Sequence, residues 1–65
     1  MKIETSHPAA VLKNGDVIDL GAREACEDYA RRLAEQNPGV EYDYAVKDDR
    51  GEFRIRFTFC DGDRV

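Results

Sequence analysis

Apolar side chains recur at Ala22, Ala25, Cys26, Tyr29, Ala30 and Leu33. That three-and-four spacing predicts one helix from about Ala22 to Gln36 with a single buried face. The opposite face carries Arg23, Glu24, Glu27, Asp28, Arg31, Arg32 and Glu35. Glu27 precedes Arg31 by four residues and Asp28 precedes Arg32 by four, the acid-first order that favours pairing along a helix. Asp19 lies just upstream as a candidate N-cap. Asn37-Pro38-Gly39 ends the helix, because proline cannot continue it and glycine relaxes the turn.

Downstream the period changes from helical to two. Val40, Tyr42, Tyr44 and Val46 alternate with Glu41, Asp43, Ala45 and Lys47, and Phe53, Ile55, Phe57 and Phe59 alternate with Arg54, Arg56, Thr58 and Cys60. Both runs predict strands, joined by a turn at Asp48-Asp49-Arg50-Gly51. Setting Lys47 opposite Glu52 pairs Val46 with Phe53, Tyr44 with Ile55, Tyr42 with Phe57 and Val40 with Phe59. All the apolar side chains of the hairpin then share one face, and Asp43 meets Arg56 on the other.

The N-terminal third holds Asn14-Gly15, a two-residue hairpin signal that would pair Val11 and Leu12 with Val17 and Ile18. Met1, Ile3 and Thr5 also alternate, and His7-Pro8 bends the chain after them. One or two N-terminal strands are expected. The predicted class is α+β: one domain over residues 1–65, with an amphipathic helix packed on a three- or four-stranded antiparallel sheet.

Composition narrows the function. The chain has 65 residues, 37% of them charged, and a formal net charge of −4. A chain this short closes only a small core, which argues against a deep substrate cavity. Its acidity argues against direct binding to nucleic acid or an anionic membrane and permits a basic partner. The segment MKIETSHP lacks the apolar run of a signal peptide. No stretch approaches the roughly 20 apolar residues of a membrane span. A reduced, cytoplasmic protein is expected, with Cys26 as a buried small hydrophobe and a Cys26–Cys60 disulfide not needed for the core to close.

No pattern of catalytic residues is legible. His7 is the one histidine, and no nucleophile and base fall at supporting spacing. Asp61-Gly62-Asp63 is a fragment of a calcium loop without its remaining ligands. Neither enzymatic activity, nor a cofactor, nor a metal is expected.

Acidic surface remains. Asp48, Asp49 and Glu52 cluster at the hairpin tip, Glu41 and Asp43 fall on the exposed sheet face, and Glu24 and Asp28 on the outer helix face. These seven are the candidate partner-binding residues. Solvated charge guarding edge strands explains the same pattern without a partner, and Arg54 and Arg56 support that reading on the sheet face.

The helix GAREACEDYARRLAEQ (Gly21 to Gln36), followed by NPGVEYDYAV (Asn37 to Val46) and FRIRFTF (Phe53 to Phe59), resembles the small anti-CRISPR proteins of phages, in particular inhibitors of the type I-C Cascade complex. The resemblance implies a three-stranded antiparallel sheet with one helix. It also implies acidic patches that imitate the phosphate backbone, bind the basic DNA-binding surface of the Cas effector complex in the bacterial host cell, and block target DNA binding. A monomer is expected. The alternative is a general acidic interaction or dimerisation module using an exposed sheet edge.

Overall fold

The computed structural model describes residues 3–61. β1 (Ala9–Lys13) and β2 (Asp16–Gly21) form a hairpin, α1 (Arg23–Gln36) crosses over, and β3 (Tyr42–Lys47) and β4 (Phe53–Phe59) form a second hairpin. The four strands make one antiparallel sheet in the order β2-β1-β3-β4. The fold is α+β, one helix on a four-stranded sheet, with β2 and β4 at the edges.

The first hairpin turns as its sequence predicts. Asn14 and Gly15 both take positive φ, 54° and 85°, the conformation that makes a two-residue turn follow the strand twist. Leu12 faces Val17. Val11 faces Asp19 instead of Ile18, because the register shifts between Val11 and Leu12 and leaves Ile18 as the extra residue of a bulge.

The second hairpin departs further from its predicted register. The Asp48 amide donates to the Glu52 carbonyl (2.8 Å) just beyond the last ladder pair, so the loop shortens to Asp49-Arg50-Gly51. Gly51 closes it at φ 81°, a conformation that favours glycine. Lys47 consequently faces Phe53, and Val46 faces Arg54. A second shift between Tyr44 and Ala45 leaves Arg56 as an extra residue, so Tyr44 faces Phe57, Asp43 faces Thr58 and Tyr42 faces Phe59. The predicted Asp43–Arg56 and Lys47–Glu52 pairs are not formed.

These shifts divide the apolar side chains between two faces. The helix covers Ala9, Val11, Tyr42 and Tyr44 with Cys26, Ala30 and Ala34, and Leu33, Val40, Val46 and Phe59 pack at the margin. The helix contributes small residues while the sheet contributes tyrosines, so the filling volume lies on the strands. Ala25 and Tyr29 of the predicted stripe point outward, and Ala34 takes their place.

The other face carries a second cluster of Ala10, Leu12, Ala45 and Phe53, with Ile3 and Leu20 packed against it. It is strapped by residues 3–8, which are not a strand. The Lys47 amide donates to the Pro8 carbonyl (2.8 Å), and Lys47 Nζ donates to the Thr5 carbonyl (2.6 Å) while lying 5.7 Å from the Phe53 ring centroid. Phe53 is 1% exposed, whereas Ile55 on the same strand is 53% exposed.

The helix ends differ from expectation at one terminus only. Ala22 is the N-cap and supplies no side-chain bond, while Asp19 lies within β2. At the C-terminus both the Asn37 amide and its Nδ2 donate to the Leu33 carbonyl, at 2.9 and 3.0 Å. The Gly39 amide then donates to the Asp61 carbonyl (2.7 Å), tying the exit of the helix to the end of β4. The tail beyond Asp61, including the rest of the calcium-loop fragment, lies outside the described residues.

Candidate functional site

The three acids of the hairpin tip do different things. Asp48 is built into the turn: its Oδ1 accepts from the backbone amides of Arg50 (2.8 Å) and Glu52 (2.9 Å), and its Oδ2 accepts from Arg54 Nε (2.9 Å). The Arg54 side-chain bond, reinforced by the Glu52 and Arg50 amides, holds the Asp48 carboxyl below the usual carboxylate range. Asp49 points from the loop into solvent with no ion pair among the described residues. Glu52 is half-buried at the base of the turn.

The other candidates do not join them. Asp43 is half-buried on the face away from the helix and accepts from the Thr58 hydroxyl (2.8 Å). Glu41 precedes β3 at the opposite end of the sheet, exposed. Glu24 sits in the first helical turn, exposed. Asp28 lies on the outer helix face and bridges Arg32 at 3.5 Å and Arg31 at 4.0 Å. Arg31 also bonds Glu27 at 3.4 Å and lies 5.5 Å from the Phe59 ring centroid. The seven acids thus form no single patch. Asp49, Glu24 and Glu41 project fully, while Asp48, Asp43 and Asp28 are held by neighbours.

A groove of about 420 Å3 opens between α1 and β4, with Arg23, Glu27, Tyr44, Arg56 and Phe57 among its lining residues. It exists because the helix packs over β1 and β3 and leaves β4 partly uncovered. The Tyr44 and Phe57 rings stack along it, with centroids 6.2 Å apart and planes 7° from parallel. Burial pushes the Tyr44 phenol up, Glu27 adds to the shift, and the Arg56 and Arg23 guanidiniums oppose it. Simple alternation places Arg56 on the outer sheet face. The bulge that brings it into the groove leaves no mark in the hydrophobic pattern.

Cys26 is buried and Cys60 half-buried, and no disulfide joins them. Burial pushes the Cys26 thiol up and Asp19 adds to it, which disfavours the reactive thiolate. Among the described residues no three His, Cys, Asp or Glu side chains converge as a metal-binding group, and no helix is long and apolar enough to cross a membrane.

No protein-family profile, no curated protein and no solved structure matches this chain.

Proposed function

We propose that this protein is a binding inhibitor of the anti-CRISPR type. It occupies a basic, nucleic-acid-binding surface of a type I-C Cascade complex in the bacterial cytoplasm and keeps target DNA out. The observation that carries this reading is the set of exposed carboxylates at Glu24, Glu41 and Asp49, which have no ion pair among the described residues, on a chain of net charge −4. A basic DNA channel attracts such groups as it attracts phosphates, with association that is fast and weakened by salt. Asp48, Asp43 and Asp28 are already engaged and contribute less. Local patches are therefore favoured over an extended imitation of a DNA strand.

The test is target-duplex binding by purified type I-C Cascade, with and without the protein, at low and high salt. Inhibition that fades as salt rises, and that is lost in a Glu24→Lys, Glu41→Lys, Asp49→Lys triple variant of unchanged fold, supports the reading. Unimpaired DNA binding at both salts removes it. The alternative of a general interaction module draws on the open β4 edge, where Ile55 and Phe57 stand half-exposed.

A further inference from the structure

Five large apolar side chains stay exposed among the described residues, and four of them lie on the two edge strands: Val17 and Ile18 on β2, Ile55 and Phe57 on β4. The two edges carry opposite charge. β2 reads Asp-Val-Ile-Asp-Leu-Gly and has only acids, while β4 reads Phe-Arg-Ile-Arg-Phe-Thr-Phe and has only bases. Charged edges commonly keep strands apart. Here each edge repels its own kind and attracts the other.

The faces match as well as the signs. Asp19 lies opposite Val11, on the helix side of the sheet, and Asp16 lies two ladder positions along, opposite Lys13. Arg54 lies opposite Val46 on that same side, and Arg56 lines the groove beneath the helix. On the far side stand Val17, opposite Leu12, and Ile55, opposite Ala45. The bulge at Ile18 brings Asp16 and Asp19 to the ladder spacing of two arginines separated by one residue.

We propose that β2 of one copy pairs with β4 of a second copy, antiparallel and head to tail, extending the sheet across molecules. Strand direction alternates through β2, β1, β3 and β4, so a β2 placed beside β4 continues the antiparallel order with every helix on one face. Arg54 then stands opposite Asp19, Ile55 opposite Val17, and Arg56 opposite Asp16. Each copy advances the sheet by about 19 Å, four strand spacings. That clears a helix of roughly 10–12 Å diameter. A β4–β4 pairing would set arginine against arginine and a β2–β2 pairing aspartate against aspartate, which disfavours a symmetric dimer. Arg54 can serve both contacts: its Nε is held by Asp48, but its side chain is 69% exposed, leaving the terminal guanidinium donors free to reach outward. The contact is a small one and belongs to the weak, transient class. A single copy can therefore act on a target in dilute solution, and this association stands or falls separately from the inhibitor reading.

Sedimentation velocity over roughly 10 μM to 1 mM tests it. The expected result is a mass that grows past two chains as concentration rises and falls back when salt is added. Arg56→Glu and Asp16→Arg should each hold the protein at one chain. An equimolar mixture of the two variants should regain assembly, since each then offers the charge the other needs. That recovery also shows that both variants are folded. A wild-type mass fixed at one chain, growth that stops at two, or variants that associate like wild type would each overturn the proposal.

Discussion

Arg54 Nε donates a 2.9 Å hydrogen bond to Asp48 Oδ2, joining the tip of the β3–β4 hairpin to the body of β4. The other oxygen of the same carboxylate gathers two backbone amides of the loop. Asp48 is thus the organiser of the turn, and its neighbour Asp49 is a free passenger on it.

Charge reversal should therefore separate the two. Asp49→Lys is expected to leave the thermal midpoint unchanged, whereas Asp48→Lys should lower it clearly, because two loop amides and Arg54 lose their acceptor. Paired thermal melts by circular dichroism check this. Equal midpoints would mean that the turn does not depend on the Asp48 carboxylate.

The same carboxylate predicts a pH dependence. Its folded-state value is depressed by the Arg54 bond, so its contribution is fully present above the ordinary aspartate value of about 3.9 and is lost as pH falls through the lower folded value. The stability gap between wild type and Asp48→Asn should shrink over that acid range and stay constant above it. Urea unfolding of both proteins along a pH series measures the gap.

The shifted register predicts unequal costs along β4. Phe53→Ala should cost about 3–5 kcal/mol, as for other buried aromatic deletions. Ile55→Thr, at a position 53% exposed, should cost roughly 0.5 kcal/mol or less. With both side chains under the helix, as simple alternation has it, the two costs would be comparable. Denaturant midpoints decide between the registers.

Thiol chemistry should follow burial. A maleimide or disulfide reagent is expected to modify Cys60 first, with Cys26 reacting only as the protein opens, since Cys26 is buried and its thiol pushed up. Mass spectrometry of briefly labelled protein resolves the order. Rapid modification of Cys26 in the Cys60→Ser variant would contradict the packing of α1 on the sheet.

Strong periodic signals made the helix and the β3–β4 hairpin legible from sequence, and Asn14-Gly15 marked the first turn while leaving one or two N-terminal strands open. The registers were not legible. Both bulges insert one residue, at Ile18 and Arg56, and alternation read along a strand counts straight through such an insertion. Phe53 looked like a partner of Val46 for that reason, although it belongs to the opposite face. Its cover, residues 3–8, alternates at Ile3 and Thr5 like a strand, and that pattern does not announce a strap. Among the acids, composition revealed charge but could not tell Asp48, which bonds inward, from Asp49, which does not. The groove residues Arg23, Tyr44 and Arg56 are brought together only by the crossover and the bulge.

The strap formed by residues 3–8 has one further consequence. The helix-side core is closed by a hydrogen-bonded element, whereas among the described residues the opposite core is closed by Ile3 and Leu20, with Lys47 bonded to Thr5 and Pro8. Peeling of that segment, with the four-stranded ladder intact, would uncover Leu12 and Phe53 without global unfolding. The molecule would then have a breathing mode on one side only. The Lys47 amide, which loses its Pro8 acceptor in that opening, would be the proton whose exchange with solvent reports it.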